Sequence, residues 1–419
     1  MVHQTISTSS RPAASASSRI SVMRFFLGQL LWSVIVGTLA ACAAPPRQAP
    51  APLGPAVVAP PSRPVSPTPP VAPTDIAAEL PPDTAPLPGA LARTKSRWVP
   101  VRWAELPGFA DDSLFEAWNA WIKSCERPGP TFAALCTEVR QLSIADGDAQ
   151  RRWMVERLQP YRVESPEGRA EGLLTSYYEP LLLASRQRSA DFAVPLYRPP
   201  AGMVKGRPWY TRQEMDTLPE AQAALQGRAI AWLDNPVDAL MLQIQGSGRV
   251  LVTEPDGSQQ LVRLAFAATN EQPYKSVARW LLDRGLVRDA SWPSIKDWAQ
   301  RNPQRSNEMF WSNPRAVFFR EEALPTFESA FGPRGAQGVA LTPGRSIAVD
   351  RDSIPYGTPV WLATPGPAVA LQRLVIAQDT GSAITGAVRA DYFAGWGEVA
   401  GQLAGRVKQP LRLWVLWPR

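Results

Sequence analysis

Residues 374–393 read LVIAQDTGSAITGAVRADYF. The first four, Leu374 to Ala377, form an apolar run that is typical of a buried strand. A glycine-rich stretch with little charge follows, and it carries Asp379 and Asp391. A carboxylate at the end of a buried strand is unfavourable unless it is paired or used in chemistry. We therefore interpret residues 378–393 as a loop that presents two acids of a candidate active site.

The segments around this stretch predict a mainly β chain with peripheral helices. A second apolar run, residues 347–349, ends at a third acid, Asp350, and a turn follows at residues 354–357. Several short strands separated by glycine and proline turns indicate β-barrels. Helices are predicted within residues 111–158, 274–284 and 294–301, and a loop at residues 195–200. The other predicted strands are residues 172–180, 240–245, 249–252, 316–319, 359–362 and 411–416, with residues 246–248 joining two of them and a turn between a further strand pair at residues 255–257.

The N-terminus has the pattern of an export signal. Residues 1–42 contain no Asp or Glu, and their arginines precede an apolar segment at residues 25–41. A basic start with a short apolar core is typical of a secretory signal. The segment ends in Leu-Ala-Ala-Cys at Cys42, which resembles the lipidation site of a bacterial lipoprotein. Because Ala43 is not Asp, we expect an outer-membrane anchor facing the periplasm; a plain signal peptide or a membrane anchor is the alternative.

A tether is predicted between this signal and the folded part. Residues 43–90 are about one-third proline, a composition that favours neither helix nor sheet core. The net charge of +7 falls to about +4 when the three arginines of the signal are removed. That value is too small to indicate a nucleic-acid partner.

The composition excludes several kinds of catalysis. The only histidine is His3, which leaves with the signal, so Ser-His-Asp and Cys-His mechanisms and most zinc enzymes are excluded. In an exported protein, Cys125 and Cys136 favour a disulfide over a reactive pair. No phosphate loop or calcium loop is present. We therefore expect no metal and no cofactor.

Five motifs in order resemble one family, the membrane-bound lytic murein transglycosylase A family with its C-terminal three-aspartate (3D) domain. They cover roughly residues 95–419, and the resemblance is specific because all five occur in sequence behind a lipoprotein signal. Ser176 and Ser382 stand where relatives commonly have glycine. The motifs lie at residues 175–180, 245–248, 348–358, 379–386 and 389–391.

This resemblance implies a double-psi β-barrel with an inserted, smaller β-barrel domain and a glycan groove between the two. We place the double-psi barrel, with its N-terminal helices, at residues 91–180 and 331–419. The inserted domain is expected at residues 181–330.

The resemblance also implies the chemistry. Asp391 maps to the family's catalytic acid, Asp379 to a neighbour that orients it or the sugar, and Asp350 to a third, structural aspartate. In lytic cleavage the MurNAc O6 hydroxyl attacks its own C1 and gives a 1,6-anhydro sugar, so one carboxyl group can act as acid and then as base. The residues expected in the glycan groove are Thr175, Tyr177, Tyr178, Gln245, Gly246, Ser247 and Arg249.

Two rival functions stay open. A glycoside hydrolase on the same barrel would use Asp379 to activate water, and a non-catalytic glycan-binding lipoprotein would need neither acid. The expected partners are peptidoglycan glycan strands and the outer membrane through the lipid anchor. Other cell-wall synthesis or division proteins are compatible with a tethered enzyme.

Overall fold

The computed structural model describes residue 84 and residues 86–325 and 328–419. The predicted signal at residues 1–42, the lipidation site Cys42 and most of the tether at residues 43–90 lie outside this part. Among the described residues, no helix is both long and apolar enough to cross a membrane.

Strands dominate the described part of the chain, as predicted. They are β1 (Leu91–Ala92), β2 (Arg97–Pro100), β3 (Leu158–Glu164), β4 (Gly172–Glu179), β5 (Leu181–Ser185), β6 (Val194–Tyr197), β7 (Ala229–Leu233), β8 (Ser247–Thr253), β9 (Gln259–Thr269), β10 (Val317–Ala323), β11 (Ser346–Val349), β12 (Pro359–Thr364), β13 (Leu371–Asp379), β14 (Arg389–Trp396) and β15 (Lys408–Pro418). The α-helices are α1 (Leu114–Ser124), α2 (Cys136–Gln141), α3 (Gly147–Arg157), α4 (Arg212–Thr217), α5 (Pro219–Leu225), α6 (Pro236–Gln245), α7 (Val277–Asp283), α8 (Trp292–Arg301), α9 (Ser306–Trp311) and α10 (Gly397–Arg406).

The first sheet closes on itself. Its strand order is β1-β2-β3-β15-β12-β13-β11-β14-β4, and β4 also pairs with β15. The six strands β15, β12, β13, β11, β14 and β4 therefore form a ring, which we call the barrel. Within it, β11 runs parallel to β13 and β14 runs parallel to β4.

The apolar run at residues 374–377 is continuous because this part of β13 is buried on both faces. Val375 and Ala377 pack inside the barrel with Val360. Leu374 and Ile376 face the opposite way, into a tryptophan-rich layer under α1, α2 and α3. The predicted N-terminal helical layer is thus the cover of one barrel wall.

The second sheet is inserted between β4 and β11. Its order is β10-β9-β8-β5-β7-β6, with β5 and β8 parallel, and α6 packs against β6, β7, β8 and β10. We call this unit the inserted sheet. The predicted fold class, a mainly β chain with a barrel and a second β unit, is confirmed.

Three local predictions are wrong. Residues 240–245 form the end of α6 and not a strand: Asn235 caps the helix by accepting from the Val237 N–H, and Gly246 ends it at φ +83°. Residues 194–197 form β6 where a loop was predicted. The expected loop at residues 378–393 contains the start of β14, so Asp391 lies in a strand and Asp379 is the last residue of another.

Candidate active site

The strand register brings the two predicted acids into one row. Ala348 on β11 is the pairing partner of Asp379 on one side and of Asp391 on the other. A bulge at Gln378 shifts the β11–β13 register, so that Asp379 stands opposite Ala348. Their Cα atoms are therefore two strand spacings, about 10 Å, apart. Directly opposed residues share a face of the sheet, and both acids line the same cleft.

Asp391 receives its hydrogen bond from the neighbouring parallel strand. Thr175 on β4 is its register partner, and the Thr175 hydroxyl donates to Asp391 Oδ1 at 2.5 Å. Arg389 Nη2 donates to the same hydroxyl oxygen at 2.8 Å. Because a guanidinium has no acceptor, the hydroxyl proton must point at Asp391. Within the described residues, Asp391 Oδ2 makes no hydrogen bond and is the oxygen that can carry a proton.

Asp379 is surrounded by donors. The Ala336 N–H donates to Oδ1 at 2.9 Å and the Tyr177 hydroxyl donates to Oδ2 at 2.8 Å. The backbone of Thr380 also donates to this carboxylate. Burial and the charge of Asp379 raise the pKa of Tyr177 well above its usual value, so the phenol keeps its proton and acts as a donor. This environment suits an ionised carboxylate.

Burial is the largest influence on both acids. It raises the pKa of Asp391, and the negative charge of Asp379 raises it further, while the Thr175 hydrogen bond and the Arg389 charge oppose the rise. Burial also raises the pKa of Asp379, and its three donors oppose that rise. Since Asp379 has three donors and Asp391 has one, the proton is better placed on Asp391.

Asp350 is held away from this pair. Its Oδ2 accepts from Lys95 Nζ at 3.0 Å and from the Gly386 N–H at 2.8 Å. Burial alone would raise its pKa, but these bonds and the Asp352 N–H lower it. Asp350 therefore fastens the Gly386 end of the β13–β14 connection to the N-terminal part of the chain.

A cleft of about 780 Å³ lies between the barrel and the inserted sheet. Its barrel side carries both acids, and its other side carries the end of α6 and parts of β9 and β10. Five sequence-predicted groove residues line it: Thr175, Tyr177, Gln245, Gly246 and Ser247.

Comparisons with known proteins agree with this architecture. The sequence matches the MltA specific insert domain at residues 173–320 and the 3D domain at residues 345–417. A membrane-bound lytic murein transglycosylase A of Vibrio cholerae is 32% identical over 315 residues, which cover 72% of this chain and 75% of that protein. The chain belongs to the membrane-bound lytic murein transglycosylase A family.

Solved structures of the same kind resemble this chain along most of its length. The lytic transglycosylase LtgG of Burkholderia pseudomallei is 42% identical with a TM-score of 0.53, over 80% of this chain and 98% of that one. MltA from Neisseria gonorrhoeae is 28% identical with a TM-score of 0.66, over 80% and 96%. The family and the enzyme class predicted from the motifs are thus confirmed.

Two of the groove residues predicted from the transglycosylase motifs do not line the cleft. Tyr178 lines a smaller cavity of about 190 Å³ beside it, and its hydroxyl lies 3.1 Å from Met241 Sδ. Arg249 is buried, pairs with Glu179 at 3.3 Å and lies over the Trp396 ring. These contacts join the inserted sheet to the barrel.

Sequence reasoning missed several cleft residues. Phe266 on β9 is 47% exposed and presents an aromatic face to the cleft. An aromatic residue within a strand is ordinarily core, so its sequence context gave no signal. Six arginines also line the cleft, and they come from segments far apart in the chain: Arg127, Arg212, Arg315, Arg320, Arg334 and Arg389.

Two further predictions concern the cysteines and metal binding. Cys125 and Cys136 form a disulfide. Over residues 86–325 and 328–419, no group of three or more His, Cys, Asp or Glu side chains is arranged to hold a metal ion.

Proposed function

We propose that this lytic transglycosylase cleaves the MurNAc-β-1,4-GlcNAc bond of peptidoglycan with Asp391 as the general acid and then the general base. The observation that carries the proposal is the hydrogen bonding of Asp391. Thr175 occupies Oδ1, while Oδ2 makes no hydrogen bond within the described residues. Burial favours the protonated form, which a general acid requires at neutral pH.

The reaction has two proton transfers at one carboxyl group. Asp391 donates its proton to the glycosidic oxygen as the C1–O bond of MurNAc breaks, and GlcNAc leaves with a free 4-hydroxyl. The MurNAc O6 hydroxyl then attacks C1 and gives its proton to the Asp391 carboxylate. One C–O bond is broken and one is formed, no water is consumed, and the acid returns to its starting state. The tethered nucleophile has a high effective concentration.

Asp379 is proposed to stay ionised throughout. Positive charge develops at C1 in the transition state, and a fixed carboxylate in a partly dry cleft stabilises such charge more than it would in water. The donors that hold Asp379, including Tyr177 and Ala336, fix its position. Asp379 therefore tunes Asp391 and stabilises the sugar cation.

The rival hydrolase would need Asp379 to take a proton from water. Both of its oxygens already accept hydrogen bonds from the protein, which favours the electrostatic role over that of a base. Asp379 thus supports lytic cleavage better than hydrolysis.

The cleft walls supply groups that can contact sugar. Phe266 offers a face for stacking on a pyranose ring, while Gln245 and Ser247 offer hydrogen bonds to hydroxyl or N-acetyl groups. Glycan strands of peptidoglycan are therefore the proposed ligand of the whole cleft.

The proposal also includes the location of the enzyme and its domains. Lipidation at Cys42 would hold it on the outer membrane facing the periplasm, with residues 43–90 as the tether. The division into residues 91–180 with 331–419 and an insert at residues 181–330 is supported by the position of the inserted sheet, β5 to β10. Cell-wall synthesis or division proteins remain proposed partners.

The test is turbidity loss of purified murein sacculi. Asp391→Asn keeps the shape of the side chain and removes the acid, so we expect kcat to fall by at least about 100-fold. Asp352→Asn, an exposed carboxylate outside the cleft, serves as the matched control and should clear sacculi like the wild type. Clearing by Asp391→Asn at the wild-type rate would contradict the assignment.

A further inference from the structure

The arginines of the cleft divide into two groups. Among the described residues, two carboxylates, Asp379 and Asp391, line the cleft beside the six arginines. Four are partly buried or ion-paired: from partly buried positions Arg212 donates to Gln243, Arg315 to the Gln272 carbonyl and Arg389 to Thr175, while the exposed Arg320 pairs with Glu322. The other two, Arg127 and Arg334, are exposed and form no ion pair within the described residues.

These two guanidinium groups converge on Gly338. Arg334 Nη1 donates to the Gly338 carbonyl at 3.2 Å. Arg127 Nη1 would lie 2.7 Å from a Cβ atom at residue 338. Gly338 also has a φ of +87°, which favours glycine. A glycine at this position therefore allows the Arg127 side chain to lie against the segment that carries Arg334.

The backbone segments that carry Arg127 and Arg334 are both anchored by contacts within the protein. Gln337 Nε2 donates to the Arg127 carbonyl at 3.1 Å, and the disulfide between Cys125 and Cys136 closes the segment that contains Arg127. On the other side, Arg334 pairs with Ala340 in an isolated β-bridge. Two positive charges thus extend from anchored backbone towards the same residue, Gly338, an arrangement that favours the binding of an anion.

The segment that carries Arg334 also contacts Asp379, and both arginines line the same cleft as Asp379 and Asp391. Residues 332–341 connect the inserted sheet to β11, and within this connection the Ala336 N–H holds Asp379. A Cβ atom at Gly335 would lie 3.2 Å from the Asp379 Cβ. Any anion bound by Arg127 and Arg334 would therefore sit beside the sugar that undergoes cleavage.

We propose that Arg127 and Arg334 form a carboxylate-binding subsite that recognises the acidic groups attached to the glycan near the cleaved bond. This inference rests on the proposed function. The sugar rings are neutral, so the carboxylate comes either from the lactyl group of a MurNAc without peptide or from the stem peptide. Guanidinium groups bind carboxylates through paired, charge-assisted hydrogen bonds.

Three ligands distinguish the two possible sources of the carboxylate, the lactyl group and the stem peptide. The first is a glycan oligomer with intact stem peptides, the second is the same oligomer after an amidase has exposed the lactyl carboxylates, and the third is neutral chitohexaose. Each is titrated calorimetrically into the Asp391→Asn protein, in which cleavage is blocked. The variant Arg127→Gln/Arg334→Gln is compared in that background with Arg97→Gln/Arg412→Gln, which removes two exposed positive charges outside the cleft.

We expect Arg127→Gln/Arg334→Gln to raise the Kd of at least one acidic oligomer by about tenfold to 100-fold, the usual effect of losing charged hydrogen bonds. The Kd of chitohexaose should stay unchanged, as should every Kd of the control pair. Arg127→Lys/Arg334→Lys, which keeps both charges, should recover part of the lost affinity. An effect on the peptide-bearing oligomer alone identifies stem-peptide carboxylates, and an effect on the stripped oligomer alone identifies the lactyl group.

The inference is overturned if both acidic oligomers bind the Arg127→Gln/Arg334→Gln protein as tightly as its parent. It is also overturned if chitohexaose loses affinity to the same extent, because the arginines would then act on the sugar or on the fold. Failure of the proposed function would give a different result. The Asp391→Asn protein would then release cleaved glycan during the titration, both with the native arginines and with the substitutions at residues 127 and 334.

Discussion

The Arg389 side chain orients the hydroxyl proton of Thr175 on the neighbouring strand. Because Arg389 donates to the Thr175 oxygen, the hydroxyl hydrogen of Thr175 points to Asp391 Oδ1, its one acceptor within the described part of the chain. The second oxygen of Asp391 is then the one that can carry the catalytic proton. A single carboxyl group with one occupied and one free oxygen is what a lytic mechanism needs.

This arrangement predicts a pH shift for Thr175→Val. The Thr175 hydrogen bond lowers the pKa of Asp391, so its removal raises that pKa. Asp391 must be protonated to begin the reaction, and activity falls as the pH rises through its pKa. The alkaline limb of the kcat/KM profile should therefore move to higher pH, with a loss of about tenfold at the optimum from the missing hydrogen bond.

Asp379→Asn should shift the same limb in the opposite direction. The charge of Asp379 raises the pKa of Asp391, and its removal lets Asp391 ionise at lower pH. The alkaline limb should move to lower pH, and kcat should fall because the fixed negative charge is lost. The test is to measure the pH profiles of kcat/KM for both variants on one soluble glycan. Shifts of the alkaline limb in the same direction would contradict the proposed effects of Thr175 and Asp379 on the pKa of Asp391.

At the scale of elements, the junction of the two units depends on one buried acid. Glu179 ends β4 of the barrel and is 0% exposed. It accepts from Arg263 at 2.8 Å on β9 and from Arg249 at 3.3 Å on β8. The same arginines donate to the Phe331 carbonyl, where the chain returns from the inserted sheet.

Glu179→Gln should therefore destabilise the protein strongly. Removing one partner of a buried ion pair leaves uncompensated charge, and the expected loss is about 3–5 kcal/mol in the free energy of unfolding. Urea denaturation measures it. Asp297→Asn, which removes the exposed partner of Arg301 on α8, should change stability by less than about 1 kcal/mol. Equal effects would show that the junction does not depend on Glu179.

Some elements could be predicted from sequence because local and tertiary signals agree. The run at residues 374–377 and the turn at residues 255–257 needed no information beyond their neighbours. Residues 242–245 alternate apolar and polar side chains like a strand, but a cap at Asn235 and a left-handed Gly246 make residues 240–245 helical. β14 was hidden because a long glycine-rich segment precedes it.

The active site was predictable in part for the same reason. Motifs identified Asp379, Asp391 and Thr175, whose neighbours in sequence are distinctive. The row across Ala348 depends on strand pairing and a bulge, and the approach of Arg127 to Arg334 depends on a contact between segments about 200 residues apart. Such long-range contacts leave no local pattern in a single sequence.

At the scale of the whole molecule, the barrel and the inserted sheet contribute different parts of the cleft. The barrel supplies the acids, and the inserted sheet supplies a wall with Phe266 and the end of α6. The cleft exists only because the chain leaves the barrel after β4 and returns before β11. In the proposed mechanism, glycan binding and proton transfer therefore both depend on the junction at Glu179.

The central claim is that O6 of MurNAc, and not water, attacks C1. Sacculi are digested with the wild-type protein in water labelled with ¹⁸O, and the masses of the released muropeptides are measured by mass spectrometry. Lytic cleavage predicts products with 1,6-anhydro ends, lighter by one water than hydrolysis products, without ¹⁸O. Reducing ends that carry one ¹⁸O atom would contradict the mechanism and favour the hydrolase.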